Sequence, residues 1–352
     1  TAAAMVLGCL HLDSDVDIRG VILSRVNGRR HASVIKRSIE EYTGLPVYGI
    51  VPRLPDLPFV QRHLGLIPPV EHEHTRQAFE KAQAIARKYL DLSGLLGVAR
   101  SATPWKIDAF PNPAGIRRST GEPVRIGVIK DQAFQFYYEE NIEALTDRGA
   151  QVVSISALDE TLLPPIDALY IGGGFPETQA ARLAANESFR LSVKGAAEQG
   201  LPIYAECGGF IYLGESLTID GRLFPMAGAL PVSFTLEQKP QGHGYTTLAV
   251  DAENPFFPIG TAIRGHEFHY CRILSQRNEE THTAFQVTKG TGMDGRRDGL
   301  CRKNILAGFT HLHALGTPGW AGALIDRARR YRRERQHCCT CLPAHRAGGG
   351  CK

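Results

Sequence analysis

The order of apolar and polar residues predicts two successive alternations of strands and helices. Apolar positions recur with the helical period at residues 1–10, 31–43 and 75–96, and short apolar runs typical of strands lie at 18–23 and 47–51. A second alternation has predicted strands at 125–129, 152–155, 168–171 and 203–205, and predicted helices at 139–148 and 188–198. Strands that alternate with helices favour a parallel, doubly wound sheet.

The periodic pattern breaks between about residues 99 and 123, where Pro, Gly and Ser cluster. Such a cluster is typical of a linker. With 352 residues, the chain also exceeds the length of one typical domain. We therefore predict a first domain over residues 1–98, a linker over 99–123, a second domain over 124–330 and a disordered tail over 331–352.

Cys207 follows an apolar run with the character of a buried strand, and two glycines and a helix-like segment come after it. This order is that of a nucleophile elbow, in which a strained turn between strand and helix exposes the nucleophile. The N-terminus of the following helix favours negative charge, and therefore a thiolate. The alternative is a buried structural cysteine beside an ordinary Gly-Gly turn.

Two further segments supply what a cysteine nucleophile needs. Consecutive glycines let backbone N–H groups point at one spot, as an oxyanion hole requires, and a predicted strand ends in Gly172, Gly173 and Gly174. His311 and His313 lie on the same side of an apparent strand, and a histidine distant in sequence is the usual base for a cysteine. Each feature alone is common. Together they favour a thiol-based catalytic site.

Segments spread along the whole chain match one family pattern. They are residues 20–26, 62–66, 125–141, 170–177, 204–209, 264–270 and 310–313. On these motifs the chain resembles the cobyrinic acid a,c-diamide synthase family, glutamine-dependent amidotransferases that amidate acetate carboxylates of corrin-type tetrapyrroles. The similarity runs from near residue 1 to about residue 330. It implies an α/β fold, with a partial dethiobiotin-synthetase-like ATP-binding domain followed by a class I glutamine-amidotransferase-like doubly wound domain.

The resemblance implies roles for residues of the second domain. It makes Cys207 the glutaminase nucleophile and His311 the histidine that activates it. The three glycines at 172–174 and Gly208 then surround the oxyanion and the bound glutamine. His313 stands where related amidotransferases carry a triad carboxylate, so it is given only an orienting role.

The resemblance also implies ATP and Mg²⁺ as cofactors of the complete enzyme, in which the first domain phosphorylates a tetrapyrrole carboxylate. A phosphate loop of the form G-x-x-x-x-G-K-[ST] does not occur in the sequence. Ser24 also stands where the family usually has an asparagine suited to adenine. We therefore expect a fragment that lacks the start of its synthetase domain. Arg62 and His63 match the family pattern and are predicted to contact substrate or nucleotide, against the alternative of a surface turn.

An aromatic stretch with one acidic residue follows the first strand of the second domain. It contains Asp131, Phe134, Phe136, Tyr137 and Tyr138. Its interpretations are a platform for a flat macrocycle, a domain interface, or simple core packing. His266, Glu267 and His269 have the composition of a metal site, but alternation along a probable strand puts too few ligands on one face. No metal site is predicted.

Composition and charge restrict the partners and the cellular location that we expect for this protein. Residues 327–352 contain eight Lys and Arg and one Glu, which is more positive charge than the +4 of the whole chain. The residues before 327 are therefore mildly acidic as a group, and no nucleic-acid partner is expected. No apolar run approaches the roughly 20 residues that span a bilayer. No secretory signal is visible, so we expect a cytoplasmic protein with no membrane partner. The Cys- and His-containing tail has soft ligands for zinc, but a disordered extension is the preferred interpretation.

The acceptor of the amide nitrogen stays open at this point. Cobyrinate is the expected tetrapyrrole, with hydrogenobyrinate next. Residues 310–318 are more similar to relatives associated with sulfur metabolism that are thought to amidate sirohaem. Two other hypotheses keep the fold and change the activity: a catalytically silent binding module, and a thiol hydrolase. The expected partners are glutamine and a tetrapyrrole carboxylate, with a homodimer left open.

Overall fold

The computed structural model describes residues 1–13, 15–54, 61–62, 65–66, 75–104, 122–277 and 280–340, without the side chains of 61, 62, 65, 66, 75 and 337–340. The chain divides into two compact units, Thr1–Asn112 and Pro113–Lys352. No helix within the described stretches is long and apolar enough to cross a lipid bilayer.

The first unit alternates helices and strands as the sequence predicts. Its helices are α1 (Ala2–Leu12), α2 (Gly28–Thr43), α3 (Thr75–Tyr89) and α4 (Leu92–Ser101). Its strands are β1 (Val21–Val26), β2 (Val47–Pro52), β3 (Gln61–Arg62) and β4 (Gly65–Leu66). β1 and β2 pair in parallel, and β3 and β4 form a short antiparallel pair. β1 begins at residue 21, rather than at residue 18 as predicted.

The single helix predicted over residues 75–96 is two helices. The chain leaves the helical path at Leu90, which forms a bridge to Gly49 of β2. Asp91 then caps α4, its side chain accepting a hydrogen bond from Gly94 N–H at 2.9 Å. An aspartate in this position satisfies an otherwise unpaired donor, so the cap starts a new helix inside one apolar period. The predicted linker overlaps the end of α4, and its residues 105–121 lie outside the described ones.

The second unit contains most of the regular structure. Its helices are α5 (Glu139–Asp147), α6 (Ala180–Ala185), α7 (Glu187–Glu198), α8 (Gly208–Leu213) and α9 (Trp320–Thr340). Its strands are β5 (Arg125–Ile129), β6 (Gln151–Ile155), β7 (Ala168–Ile171), β8 (Ile203–Glu206), β9 (Ser216–Ile219), β10 (Arg222–Pro225), β11 (Val232–Leu236), β12 (Gly242–Val250), β13 (Ala262–His269), β14 (Cys271–Gln276), β15 (His282–Lys289), β16 (Arg297–Arg302), β17 (Ile305–Gly308) and β18 (His311–Leu312).

Ten of these strands form one sheet in the order β18-β13-β12-β15-β16-β17-β8-β7-β5-β6. The neighbours from β17 to β6 are parallel, and the remaining pairs are antiparallel. β10, β9, β11 and β14 form a separate four-stranded sheet. The carboxyl ends of β7 and β8 therefore lie side by side, at the edge where such sheets bind ligands.

The apolar pattern predicts the parallel half of the large sheet and misses the antiparallel half. β7 and β8 are buried along their whole length, so they appear in the sequence as continuous apolar runs. β15 is buried only in its middle and mixes polar with apolar residues. A short mixed strand of this kind has no clear period to identify it.

Two apolar cores cover the two faces of the large sheet. Successive side chains of a strand point to opposite faces, and in β7 Leu169 and Ile171 belong to one core while Ala168 and Tyr170 belong to the other. α6, α7 and α8 pack on the first face, and α5 and α9 pack on the second. Helices on both faces are what a doubly wound sheet requires.

α9 continues to Thr340, whereas the sequence predicts a disordered tail from residue 331. Arg330 and Glu334 form an (i, i+4) pair at 2.8 Å, which supports the helix. Arg332 reaches the buried carboxylate of Asp167, so this segment also packs on the body. Residues 341–352 lie outside the described ones, and the choice between a zinc site and a disordered extension stays a prediction.

Candidate active site

Cys207 lies in the turn between β8 and α8. Its φ of 47° and ψ of −99° form a combination that costs a residue with a side chain about 1–3 kcal/mol. Two backbone hydrogen bonds hold the turn: Cys207 N–H donates to Gly308 O at 2.7 Å, and Cys207 O accepts from Ile211 N–H at 3.0 Å. The predicted strand-to-helix elbow is present, with the thiol buried at the carboxyl end of β8.

Gly208 and Gly209 let α8 begin directly against the end of β7. A Cβ on Gly209 would lie 2.4 Å from Ile171 O, and one on Gly208 would lie 3.0 Å from Gly174 N. Real Cβ atoms do not approach backbone this closely, so only glycine fits at Gly209 without a shift. The helix N-terminus and the glycine run after β7 therefore meet at the elbow.

His311 is buried next to the elbow and is held on three sides. β18 pairs with β13 so that His311 lies opposite His266, and the two imidazole rings stack with centroids 4.9 Å apart and planes 21° from parallel. A Cβ on Gly173 would lie 2.3 Å from Cε1 of His311. On the third side, Oε2 of Glu206 is 3.5 Å from Nδ1 of His311.

The surroundings of His311 favour its protonated form. Burial opposes the charge, but the hydrogen bond and charge of Cys207, followed by those of Glu206, raise the pKa of His311 to about 10. Burial, followed by the charge on His311, lowers the pKa of His266 to about 4. Near neutral pH, an imidazolium therefore stacks on a neutral imidazole.

Glu206 is a buried carboxylate to which the sequence analysis gives no role. Its side chain is 2% exposed. Oε1 accepts from Leu312 N–H at 3.2 Å, and Oε2 accepts from the hydroxyl of Tyr170 at 3.4 Å. The sequence does carry a signal for it, since an acidic residue ends an apolar run directly before Cys207. A charge in a buried strand is costly unless it is paired, so its presence points to a partner.

His313 makes its contacts away from His311. Its Nε2 lies 3.5 Å from Glu140 Oε2, and its ring lies 4.5 Å from that of Tyr138. β18 ends at Leu312, so the strand alternation that would place both histidines on one side does not continue to residue 313. These contacts do not support the predicted orienting role of His313. The carboxylate beside His311 comes from Glu206 instead.

Gly172 and Gly174 both contact the loop that follows β5. Gly172 N–H donates to the hydroxyl of Tyr137 at 2.8 Å, and that hydroxyl donates in turn to Ile129 O. A Cβ on Gly174 would lie 2.0 Å from Ala133 O, so residue 174 packs directly on the loop after β5. The amide of Gly172, one of the predicted oxyanion groups, is therefore already committed to Tyr137.

Gly173 and Gly208 are the other two predicted oxyanion groups, and their backbones lie side by side. A Cβ on Gly208 would be 3.4 Å from the carbonyl carbon of Gly173. Gly208 directly follows Cys207, and Gly173 packs against the ring of His311. Both backbones therefore adjoin the predicted nucleophile and base.

The aromatic stretch after β5 is divided between core and surface. Phe134 is fully buried, with its ring edge-on to Tyr212 at 5.4 Å. Phe136 and Tyr138 are 41% and 38% exposed. The hydroxyl of Tyr138 is 3.3 Å from Nδ1 of His266, at the outer side of the stacked histidines. Core packing therefore accounts for Phe134, while Tyr138 adjoins the site.

Asp131 ties two loops of the second unit together. Its carboxylate accepts from Ala133 N–H at 2.8 Å and from Ala157 N–H at 2.7 Å. Burial raises the pKa of Asp131, although these backbone hydrogen bonds act in the opposite direction. A substrate contact at Asp131 would compete with this structural role.

The structure does not locate the side chains of the other two residues that are predicted to contact substrate or nucleotide. His63 and the side chain of Arg62 lie outside the described residues. Within the part of the chain that the structure describes, no group of three or more His, Cys, Asp and Glu side chains could hold a metal ion. His266, Glu267 and His269 do not form such a group.

A thiol, an imidazolium and a carboxylate meet at the end of a parallel strand, beside glycine backbone. Such an arrangement can take the acyl group of an amide onto sulfur and protonate the departing amine. The fold and the site are those of an α/β amidotransferase with a cysteine as its candidate nucleophile.

Comparison with known proteins specifies the family. Residues 125–318 match the model of the CobB/CobQ-like glutamine amidotransferase domain. The cobyrinate a,c-diamide synthase of Magnetococcus marinus is 39% identical over 338 residues, which cover 95% of this chain and 71% of the relative. That of Methanothermobacter thermautotrophicus is 42% identical over 321 residues, which cover 91% and 70%. The chain belongs to the cobyrinate a,c-diamide synthase family of glutamine-dependent amidotransferases.

The family predicted from the motifs is thereby confirmed, together with its glutamine-amidotransferase-like α/β fold. The solved structure of PurLQS from Thermotoga maritima is 18% identical, with a TM-score of 0.44 over 61% of this chain and 100% of that chain. That likeness is too distant to carry an argument.

Proposed function

We propose that this chain hydrolyses glutamine at Cys207 and delivers the ammonia to activated acetate carboxylates of cobyrinate or hydrogenobyrinate, forming the a- and c-amides in cobalamin biosynthesis. The observation that carries the glutaminase half is the cluster of Cys207, His311 and Glu206 at the end of β8. The acceptor is proposed from the names of the relatives, which are cobyrinate a,c-diamide synthases.

The proposed glutaminase reaction begins with attack on the substrate. The Cys207 thiolate attacks the side-chain amide carbon of glutamine, forming a C–S bond and placing a negative charge on the amide oxygen. Backbone N–H groups of Gly173 and Gly208 would stabilise that oxyanion. Collapse of the intermediate breaks the C–N bond, and the proton on His311 goes to the departing nitrogen, which leaves as ammonia.

The second half of the proposed cycle releases glutamate. His311, now neutral, takes a proton from water as that water attacks the thioester. The C–S bond breaks, glutamate leaves, and the thiolate and imidazolium are restored. A raised pKa at His311 supports this cycle, because the resting site then holds the proton that ammonia needs.

The amidation half needs an activated acyl group, since ammonia does not displace oxide from a carboxylate. ATP with Mg²⁺ is the proposed source of that activation. The sequence contains no G-x-x-x-x-G-K-[ST] loop, and the described residues contain no cluster of metal ligands. No activation step is assigned to particular residues of this chain.

The glutaminase half is tested by glutamate release from glutamine, with Cys207→Ser beside the wild type. Release by the wild type and a loss of at least about 10³-fold in Cys207→Ser are expected, since the nucleophile acts with its partners as a unit. Cys9→Ser, a change at an exposed thiol, should release glutamate at the wild-type rate. A well-folded wild type without release, or release that survives in Cys207→Ser, would contradict the proposal.

The acceptor is tested separately, with cobyrinate, hydrogenobyrinate and sirohaem in turn, together with ATP, Mg²⁺ and glutamine. Product masses report which carboxylates have become amides. Amidation of cobyrinate or hydrogenobyrinate supports the proposed acceptor. Amidation of sirohaem alone would replace it with the alternative drawn from residues 310–318.

A further inference from the structure

We propose that Glu206 is the positioning carboxylate of this site, which holds His311 in the tautomer and orientation that glutamine hydrolysis requires. The inference rests on the proposed function, because it gives Glu206 a part in the same reaction. Position 313, where the resemblance to related amidotransferases would place such a carboxylate, holds a histidine. The residue directly before the nucleophile supplies it instead.

The contact between Glu206 and His311 is shielded from water. Oε2 of Glu206 is 3.5 Å from Nδ1 of His311, and both side chains are buried. A carboxylate on Nδ1 fixes a proton there, and Cys207 is a further hydrogen-bonding partner of the same imidazole. Among the described residues, Glu206 is the only one that forms an ion pair with His311.

The elbow explains how neighbouring residues can act on the same ring. Successive side chains of a strand point to opposite faces, so residues 206 and 207 would diverge in a continued strand. The φ of 47° at Cys207 ends the strand and redirects the chain. Glu206, the last residue of β8, and Cys207, the first beyond it, both interact with His311.

Glu206 is itself held by hydrogen-bond donors from the backbone and from tyrosine hydroxyls. Leu312 N–H donates to Oε1 at 3.2 Å, which ties the carboxylate to the backbone directly after His311. The hydroxyl of Tyr170 donates to Oε2 at 3.4 Å. Asn141 Nδ2 donates to Leu312 O at 3.1 Å, so the same segment is also fixed from α5. The carboxylate therefore sets the position of the backbone of β18 as well as the imidazole.

The hydroxyls around Glu206 stay neutral donors. Burial, followed by the charge on Glu206, raises the pKa of Tyr170 and of Tyr204 well above the ordinary value. The titratable side chains that interact with the charge on Glu206 are Tyr137, Tyr138, Tyr170, Tyr204 and His311, with Cys207 interacting through His311 and Asp298 through Tyr204.

The proposal is tested with Glu206→Gln, which keeps the shape of the side chain and removes its charge. Glu143→Gln makes the same change at an exposed carboxylate of α5 and is the matched control. In Glu206→Gln we expect kcat for glutamine hydrolysis to fall by about 10²-fold or more, with KM changed by less than about threefold, because loss of the orienting carboxylate impairs the proton transfers rather than binding.

A second readout does not need glutamine turnover. The rate at which iodoacetamide alkylates Cys207 is followed against pH, in a background in which the other thiols are blocked or resolved by mass. Loss of the charge on Glu206 changes the electrostatic balance around the thiol and the imidazolium, so the pH at which alkylation rises should shift by about one unit or more. A purely structural role would leave this midpoint unchanged in a folded variant.

Glu206→Asp provides a variant that keeps the charge with a shorter reach. It should retain the alkylation midpoint of the wild type to within about half a unit while losing part of kcat. Wild-type kcat and an unchanged midpoint in folded Glu206→Gln would overturn the proposal, as would equal midpoints in Glu206→Gln and Glu206→Asp. Absence of glutaminase activity in the wild type contradicts the proposed function instead, and alkylation still tests Glu206.

Discussion

Gly173 and His311 are packed so closely that a Cβ added to residue 173 would lie 2.3 Å from Cε1 of the imidazole. The ring cannot move away, because His266 stacks on it and Glu206 holds its Nδ1. The glycine after β7 therefore sets the position of the histidine ring, in addition to any part its amide has at an oxyanion.

Gly173→Ala should therefore reduce both activity and stability. We expect kcat for glutamine hydrolysis to fall at least about tenfold, and the free energy of unfolding to fall by about 1–3 kcal/mol, as in other overpacked sites. Urea unfolding and glutamate release measure the two effects. Gly195→Ala is the control, because residue 195 lies in α7 with open space around its Cβ position, and the change should be neutral or stabilising.

Because of the stacked histidines His266 and His311, the free energy of unfolding should be highest near pH 6.5 and should fall at lower and at higher pH. The pKa of His311 is raised from 6.5 to about 10, so the folded state holds a proton that the unfolded state loses, and this contribution disappears as pH rises towards 10. The pKa of His266 is lowered to about 4, so the unfolded state gains a proton first as pH falls from 6.5. Stability should decrease in both directions.

Denaturant unfolding of single variants separates these contributions from those of other titrating groups. His311→Gln should flatten the decrease between pH 6.5 and 10, and His266→Gln should flatten the decrease between pH 6.5 and 4. Profiles parallel to that of the wild type would show that the two rings do not have the shifted pKa values.

Arg332 should contribute more to stability than its position near the end of the chain suggests. Its guanidinium contacts both oxygens of Asp167, at 3.1 and 2.5 Å, and Asp167 also accepts from Arg125 N–H at the start of β5. Arg332→Met leaves a buried carboxylate without its cation, so we expect a loss of about 1–3 kcal/mol in the free energy of unfolding.

The control for that change is Arg330→Met, two residues away on the same helix. Arg330 pairs with Glu334 at the exposed surface, and such pairs contribute less than about 0.5 kcal/mol. Equal effects of the two substitutions in thermal or urea unfolding would mean that α9 does not depend on the contact with Asp167.

Tyr137→Phe should weaken the start of the glycine run. The hydroxyl of Tyr137 accepts from Gly172 N–H and donates to Ile129 O, so its removal leaves two buried backbone groups without that partner. A loss of about 1–3 kcal/mol in the free energy of unfolding follows. Tyr245→Phe is the comparison, since Tyr245 is 78% exposed and its loss of a hydroxyl should change stability by less than about 0.5 kcal/mol.

The sequence predicts the parts of this fold whose side chains are buried on both sides. The run before Cys207 and the run before Gly172 have that character, and both strands lie where predicted. The strands between residues 216 and 302, most of which pair antiparallel, are not predictable in this way. Their pairing depends on distant partners, and at most part of each strand is buried.

The candidate site, like the fold, could be predicted from the sequence only in part. Cys207 and the glycines are recognisable because a tight turn restricts the residues that it accepts, whereas the partner of His311 depends on where β18 ends. The resemblance to related amidotransferases gives the orienting role to His313, and an assumed longer strand would place it on the side of His311. A strand of two residues does not carry the alternation that far. Glu206 stands beside Cys207 in the sequence, yet its contact with His311 exists only in the folded sheet.

The bond between Cys207 N–H and Gly308 O has a consequence for the timing of activity during synthesis. β8 obtains its neighbour β17, and the thiol obtains its imidazole, only after the ribosome has added residues far along the chain. Pairings of such large sequence separation form late in folding. A nascent polypeptide that ends before β17 therefore carries Cys207 without its imidazole, and under the proposed function it cannot yet hydrolyse glutamine.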